Sequence, residues 1–378
     1  MDLKNKRIAI VYDWIDKWGG VERVLLHLNT LFPTAHFYTS AVDYKTAQWA
    51  RHLWIKTSFL QSFPGFIRSK RALLLPLFPL VFESFRFDEY DLVISITSSF
   101  AKGIITKPST QHICYLLTPP RYLWSHINDY ISPLLRILGM PLHTHLKKWD
   151  TYAAKRPDGY ISLSKTTAGR AKEYYTVESP VVYPPFDTQY WDAAKKKMKK
   201  PPTIIFAKPY YLWVGRMESY KKADLVRDAA QFIGTHSFIF VGTGSLEKSI
   251  KKNAPSNCQF TGAISDEELS YLYLHADALI MPQNEDFGYV ALEAQYHGCP
   301  VIAYSRGGAL ETVKDGITGI FFEEQSVDCL VSILERFNQI AYNLRRSTTL
   351  NQKSIENDFG VRRFNTQFVY QLHQVAHL

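Results

Sequence analysis

Two glutamates, Glu285 and Glu293, stand in the run Met281 to Gly298, MPQNEDFGYVALEAQYHG. An apolar stretch ends there, a turn follows, and helical spacing begins near Phe287 or Gly288. Glu285 therefore precedes a helix, and Glu293 falls inside it about two turns on. The first-turn amides at Phe287, Gly288 and Tyr289 are expected to lack intrahelical acceptors and to lie at the positive end of the helix dipole, which suits a phosphate or sugar oxygens. Gly288 leaves room for close approach. Glu293, flanked by Ala291, Leu292 and Ala294, is costly in an apolar setting without donors, and a ribose diol supplies two. Glu285 could serve a sugar hydroxyl in the same way. The plainer alternative, in which Glu285 caps the helix and Glu293 is solvated, is equally compatible with the spacing.

A second cluster, Leu212 to Asp224 (LWVGRMESYKKAD), sets Arg216, Lys221 and Lys222 in the loop after a strand-like run and at the start of the next helix. Fixed cations there would meet the negative charge on a departing diphosphate and lower the barrier. They could replace a metal ion, and no D-x-D pair occurs in the chain to supply the acidic ligands of a magnesium-bridged pyrophosphate. Simple solvation of the cations is the alternative.

Glycine turns accompany both clusters. Gly242-Thr243-Gly244 follows a strand-like run, but Glu247 stands where a dinucleotide fingerprint would have its third glycine, so a nicotinamide cofactor is weakly supported. Gly19-Gly20 follows the first apolar run and opens a helix, where its amides could face a phosphate. His143 and His145 alternate in an expected loop without a Cys or acidic companion at ligand spacing, which speaks against a metal site. The four cysteines, Cys114, Cys258, Cys299 and Cys329, show no C-x-x-C pairing and read as buried reduced thiols.

These residues need a scaffold, and the chain alternates strand and helix signals from its start. Arg7 to Asp13 reads as a buried strand and Val21 to Leu31 as a helix; Leu92 to Ile96, Ile113 to Leu117 and Gly159 to Leu163 read as further strands. After a basic stretch, Lys195 to Pro202, expected to be an exposed linker, the pattern restarts at Tyr210 to Gly215. It continues through Ser237 to Gly242, Cys258 to Gly262, Ala278 to Met281 and Pro300 to Ala303. The expectation is an α/β fold of two doubly wound parallel sheets facing a central cleft, with ligands beyond the carboxyl ends of the strands. Residues 1–186 form the first domain in this reading and 187–358 the second. The amphipathic segment 359–378 is expected to be a helix packing back on the first domain.

With 378 residues, 46% hydrophobic and 21% charged, the chain is long enough for two cores and excludes collagen-like or wholly disordered classes. It contains no uninterrupted apolar run of membrane-spanning length, and its charged start leads straight into a strand, so it reads as cytoplasmic. The first 200 residues hold 28 of the 44 Lys and Arg but 16 of the 35 Asp and Glu. That excess points to an anionic partner, and a membrane surface fits better than nucleic acid, because no nucleic-acid recognition module is present. The stretch Phe59 to Phe87 mixes Arg68, Lys70 and Arg71 with many large apolar residues. It reads either as an interfacial surface or as helices packed in the core, with Pro64, Pro76 and Pro79 breaking any long helix.

Taken together, the chain resembles the large retaining glycosyltransferase family 4, with the GT-B fold of two Rossmann-like domains. The likeness rests on the E-x7-E motif from Glu285 to Glu293, on Gly298 to Ala303, Gly307-Gly308, Glu311 and Gly316 to Gly319, and on the G-R-x4-K-K-x-D stretch from Gly215 to Asp224. It implies that Arg216 and Lys221 bind the donor pyrophosphate, that Glu285 contacts the transferred sugar and that Glu293 holds the ribose. Amides near Phe287, Gly288 and Tyr289 would bind sugar and phosphate. The loops at Gly215, Gly242 and Gly262 would line the nucleotide, and Gly19-Gly20 would face donor and acceptor.

Around Asp13-Trp14, Gly19 to Arg23 and Cys114 to Trp124 (CYLLTPPRYLW), the likeness narrows to mannosyltransferases of bacterial O-antigen and exopolysaccharide assembly, which implies GDP-mannose as donor. Leu117 stands where that group generally carries a histidine touching the donor sugar. The implied function is a metal-independent hexosyltransferase that needs no cofactor beyond its nucleotide-sugar donor, acting on a glycan or lipid-linked acceptor in cell-surface polysaccharide and lipopolysaccharide synthesis, at the inner face of the cell membrane. A nucleotide-sugar 2-epimerase and a catalytically inactive partner subunit are the rival readings. Leu117 keeps the second of these open.

Overall fold

The computed structural model describes residues 3, 6–125, 133–199 and 209–375, and within 133–139 the backbone alone. The chain divides into two compact units, residues 1–185 with 362–378, and residues 186–361. Each is built on one parallel sheet.

In the first unit the strands are β1 (Ile8–Tyr12), β2 (His36–Thr39), β3 (Ile55–Thr57), β4 (Leu92–Thr97), β5 (Gln111–Leu116) and β6 (Gly159–Ser162). They lie in the order β3-β2-β1-β4-β5-β6, all parallel. The second unit repeats the order with β7 (Tyr210–Val214), β8 (Ser237–Val241), β9 (Cys258–Gly262), β10 (Ala278–Met281), β11 (Val301–Tyr304) and β12 (Gly319–Phe322), arranged β12-β11-β10-β7-β8-β9. In both, the first and fourth strands of the unit are neighbours, and the chain winds outward from them in opposite directions. The carboxyl ends of those two strands therefore splay their loops apart and leave a crevice, the usual ligand position in such sheets.

The central strands are apolar on both faces because helices cover both sides of a parallel sheet. β1 and β4 are buried at every position. The long runs were legible for that reason, whereas β2, β3 and β12 went unread. They hold four, three and four residues, and with His36, Lys56 and Thr57 or a leading glycine they lack a continuous apolar signature.

Several expectations need correction. His143 and His145 lie in a helix, Pro133–Ala153, which runs on through Pro141 and carries buried Leu146 and Asp150 to the core. Lys195 and Lys196 end a helix, Thr188–Lys196, fixed by Trp191 and Ala194, so the linker cannot begin before them; residues 200–202 of that stretch lie outside the described residues. All four cysteines are free, but only Cys114 and Cys299 are buried. The stretch Phe59 to Phe87 is a chain of short helical turns. Leu74, Phe78, Val81 and Phe82 enter the core, while Phe66, Leu73 and Leu80 stay exposed. The stretch is thus packed into the core on one side and leaves apolar side chains exposed on the other.

Buried polar groups tie the first unit together. Asp150 accepts from the Tyr175 hydroxyl and the Trp124 indole N–H, both at 2.7 Å, and forms a fully buried ion pair with Lys102. Lys102 also donates to the Ser99 carbonyl. A buried pair of this kind is costly unless its remaining valences are met, and here they are. Helix Val361–Val375 contributes Phe364 and Phe368 to the same unit, with the Phe368 ring 5.5 Å from that of Tyr115.

Two buried histidines set an acid limit on stability. Burial pushes His112 down to about 3 and His297 down to about 4. Both are neutral in the folded chain near pH 5, while the unfolded chain binds a proton at each, with an ordinary value near 6.5. The neutral imidazoles therefore favour folding fully above about pH 6.5, and that contribution falls as the pH drops towards 4 and 3. Urea titrations should show a loss of about 2 kcal/mol for each histidine between pH 7 and pH 5. A His112→Asn, His297→Asn variant should show a correspondingly flatter pH dependence.

Candidate functional site

In the second unit, the loops that follow β7 and β10 flank the reversal of strand order. The loop after β7 begins at Gly215, whose N–H donates to the Val241 carbonyl at 3.0 Å. Gly242, at the end of β8, donates in turn to the Gly262 carbonyl at 2.8 Å. Met217 and Thr243 are paired at 2.9 Å, so the three loops lie against one another. This contact requires glycine: Gly242 has a φ of +120°, and a Cβ there would stand 2.0 Å from the Gly215 carbonyl oxygen.

A single 3-10 turn, Ser219–Lys221, leads to Lys222, a non-glycine residue in the left-handed region (φ 54°), which starts helix Ala223–Ala230. The turn aims Lys221 across the crevice, where its ammonium forms an ion pair with Glu285 in the loop after β10. The side chains are 15% and 18% exposed, so the pair is shielded but still reachable. Arg216 is not part of this contact. Its guanidinium donates to the Tyr220 hydroxyl at 2.6 Å, and the Lys221 ammonium lies 5.4 Å from the same ring.

The backbone of Glu285 is held as firmly as its side chain. It forms a parallel bridge with Gly307, and its carbonyl accepts from Gly308 at 2.7 Å. Gln283, only 2% exposed, donates its side-chain N–H to Glu285 Oε1 at 3.1 Å, the oxygen that also meets Lys221. Sequence reasoning missed Gln283, although its place two residues before Glu285 on an extended chain puts both side chains on one face.

Helix Tyr289–Tyr296 follows, with Gly288 at its N-cap at a φ of +96°. The N-cap position itself is a glycine, with no side chain to offer the first-turn amides. Phe287 is buried against the Phe359 ring at 5.6 Å and anchors the turn. Glu293 is 6% exposed, so the solvated alternative fails; its Oε2 accepts from the Tyr273 hydroxyl at 3.0 Å. Tyr273 comes from helix Asp266–His275, and nothing in its own surroundings in the sequence signals the contact. His297 sits beneath, with Nδ1 2.7 Å from the Glu293 carbonyl. The structure thus gathers Gly215, Lys221, Gly242, Gly262, Glu285, Phe287, Gly288, Tyr289 and Glu293 at the carboxyl end of one sheet, with Arg216 in the adjoining loop.

A cation and a carboxylate at the mouth of such a crevice, beside a helix N-terminus, can receive a phosphorylated, hydroxyl-rich ligand. Among the described residues, no three His, Cys, Asp or Glu side chains are gathered so as to hold a metal ion. Residues 194–353 match the family model of glycosyl transferases group 1. The match contains every one of these residues.

Relatives agree with it. A glycogen synthase of Thermodesulfovibrio yellowstonii is 32% identical over 160 residues, which are 40% of this chain and 32% of that protein. The chain thus spans about a third of the length of that relative. Among solved structures, sucrose-phosphate synthase from Thermosynechococcus elongatus superposes with a TM-score of 0.74 at 16% identity, covering 98% of this chain and 99% of that one. The Anabaena protein HepE in complex with UDP-glucose gives 0.69 at 18%, covering 97% and 99%. The solved structures share the two-domain α/β fold of this chain.

Gly19 and Gly20 belong to the first unit. Gly20 opens helix Gly20–Leu31, and Gly19 is extended (φ −179°), a conformation open to any residue. Leu117 is buried just past β5, and its carbonyl accepts from the Thr167 hydroxyl at 2.9 Å. Asp13, just after β1, accepts from the Thr97 hydroxyl and from the N–H groups of Ser98, Phe100 and Ala101, all at 2.8 Å. It therefore shapes the loop after β4.

The two glycines at the carboxyl ends of β8 and β9 separate steric from conformational demand. Gly262 has a φ of +71° with open space around it. Gly262→Ala should cost about 1 kcal/mol in urea unfolding. Gly242→Ala carries the same strain and a backbone clash, and should cost more than about 2 kcal/mol.

Proposed function

We infer that this chain is a retaining, metal-independent glycosyltransferase that moves a hexose from a nucleoside diphosphate onto a glycan or lipid-linked acceptor. The observation that carries the reading is the Lys221–Glu285 pair, held by two loops at the reversal of strand order within a glycosyl transferases group 1 match. In this reading the second unit takes the donor and the first the acceptor. Lys221 and Arg216 receive the diphosphate, Glu285 a hydroxyl of the transferred sugar, and Glu293, oriented by Tyr273, the ribose. Gly215, Gly242 and Gly262 line the nucleotide, and amides near Phe287, Gly288 and Tyr289 meet sugar and phosphate oxygens.

As the bond from the anomeric carbon to the diphosphate breaks, negative charge grows on the departing oxygen and fixed cations stabilise it. The acceptor oxygen bonds to that carbon from the face the diphosphate leaves, and its proton passes to a phosphate oxygen. Retention follows without a protein nucleophile. For the donor we propose GDP-mannose, on the resemblance around Asp13-Trp14 and Cys114 to Trp124. A UDP-hexose is the competing choice, in view of the UDP-glucose bound by HepE. Among the described residues, no helix is long and apolar enough to cross a membrane. The exposed Phe66, Leu73 and Leu80 beside Lys70 favour peripheral contact with an anionic membrane surface, at its cytoplasmic face.

Differential scanning fluorimetry with GDP, UDP and ADP in the presence of EDTA tests the donor reading. One nucleotide should raise the melting temperature, since saturation at a hundred times Kd adds about 2.7 kcal/mol. Tyr273→Phe should weaken that nucleotide about tenfold. Lys221→Ala and Glu285→Ala should each abolish transfer from the matching sugar donor, and near wild-type rates in either would overturn the site assignment.

A further inference from the structure

The helix that carries Glu293, Tyr289–Tyr296, is only about two turns long, and the last four carbonyls of any helix lack an intrahelical donor. Here each is met from beyond the helix. The Ala294 carbonyl accepts from the backbone N–H groups of His297 and Cys299, and that of Gln295 from Gly298, all at 2.9 Å. The Lys195 ammonium, from helix Thr188–Lys196, donates to the Tyr296 carbonyl at 2.7 Å and sets a cation at the negative end of the helix. The remaining carbonyl is that of Glu293 itself. It meets the ring of His297, with Nδ1 at 2.7 Å.

A carbonyl only accepts, so Nδ1 carries the ring proton and donates. Burial keeps the imidazole neutral, which leaves Nε2 a bare acceptor, buried with no hydrogen-bond partner among the described residues. An unmet buried acceptor costs stability, so what this ring contributes lies at Nδ1 and in its packing. It stands edge-on to the Trp191 ring, with centroids 5.3 Å apart and planes at 89°, and tilted against Tyr273 at 5.4 Å and 34°. Trp191 and Tyr273 are fully buried and His297 nearly so, which leaves none of the three room to turn independently.

Tyr273 is also the side chain whose hydroxyl donates to Glu293 Oε2. His297 therefore touches both things that fix Glu293, its backbone directly and its carboxylate by way of Tyr273. Capping the helix with a backbone N–H could be done by any residue but proline; reaching back to the Glu293 carbonyl while filling the space between two aromatic rings takes a flat side chain with a donor near its root. We propose that His297 is a positioning residue for the ribose of the donor, which sets the Glu293 carboxylate by holding its carbonyl with Nδ1–H and its partner Tyr273 with the ring. Buried beneath the helix, it acts through Glu293 alone. The proposal rests on the reading of Glu293 as the holder of the ribose.

The test is isothermal titration calorimetry on the full chain in EDTA, with GDP, UDP and the 2′,3′-dideoxy form of each. The wild-type chain should bind one of the two ribonucleotides about thirtyfold more tightly than its dideoxy form, a preference that Glu293→Ala removes. His297→Ala should cut the preference to about threefold and leave the affinity for the dideoxy form within about twofold of wild type; His297→Asn, which restores a short N–H donor, should lie between the two. Damage to the fold weakens both forms together, so the ratio reports positioning and the dideoxy affinity reports an intact site. A full preference in both His297 variants, or an equal loss of both forms, would overturn the proposal and leave the ribose reading standing. A wild-type chain that binds neither nucleotide, or binds both forms equally, would overturn the ribose reading and the proposal with it.

Discussion

The candidate site of the second unit centres on one electrostatic contact, the ion pair between Lys221 and Glu285. Neither residue can hold it alone. Lys221 is delivered by a 3-10 turn and a left-handed Lys222, and Glu285 by a loop stitched to Gly307 and Gly308 and by the buried amide of Gln283. Both loops exist in these positions because β7 and β10 are neighbours from which the sheet winds in opposite directions. Within the crevice the two charges satisfy each other. In the proposed function a diphosphate would give Lys221 a partner of greater charge and a sugar hydroxyl would give Glu285 a donor, so that the ligand would exchange one set of paired charges for another without exposing either alone.

The first unit repeats the strand order with different chemistry at the same place. Asp13 draws four hydrogen bonds, one from Thr97 at the end of β4 and three from the loop after it, and has no cation facing it in that set. Its carboxylate is raised by burial, with those donors opposing the shift. That use is architectural: it fixes a loop where the second unit holds an ion pair. The same topology thus supports an ion pair in one unit and a hydrogen-bonded carboxylate in the other.

Much of this was legible in the sequence. β1, β4, β5 and β7 announce themselves because strands covered on both faces must be apolar throughout, and the loops between them carry glycines and charges at fixed places. The pairing of Lys221 with Glu285 is not in the sequence reading, which sees two separate motifs with separate ligands. Three further things were not legible. Short edge strands such as β3 lack a period long enough to detect. Tyr273 meets Glu293 across 20 residues, through the packing of two helices. His143 and His145 sit in a helix that a proline should have broken, because the buried positions around it hold the helix together.

The most direct test of the account is a crystal structure of the full chain grown with a nucleoside diphosphate in the presence of EDTA. The diphosphate is expected beside Lys221 at the carboxyl ends of β7 and β10, with the ammonium drawn from Glu285 to a phosphate oxygen and the ribose on Glu293. A nucleotide bound elsewhere, with the Lys221–Glu285 pair intact, would contradict it.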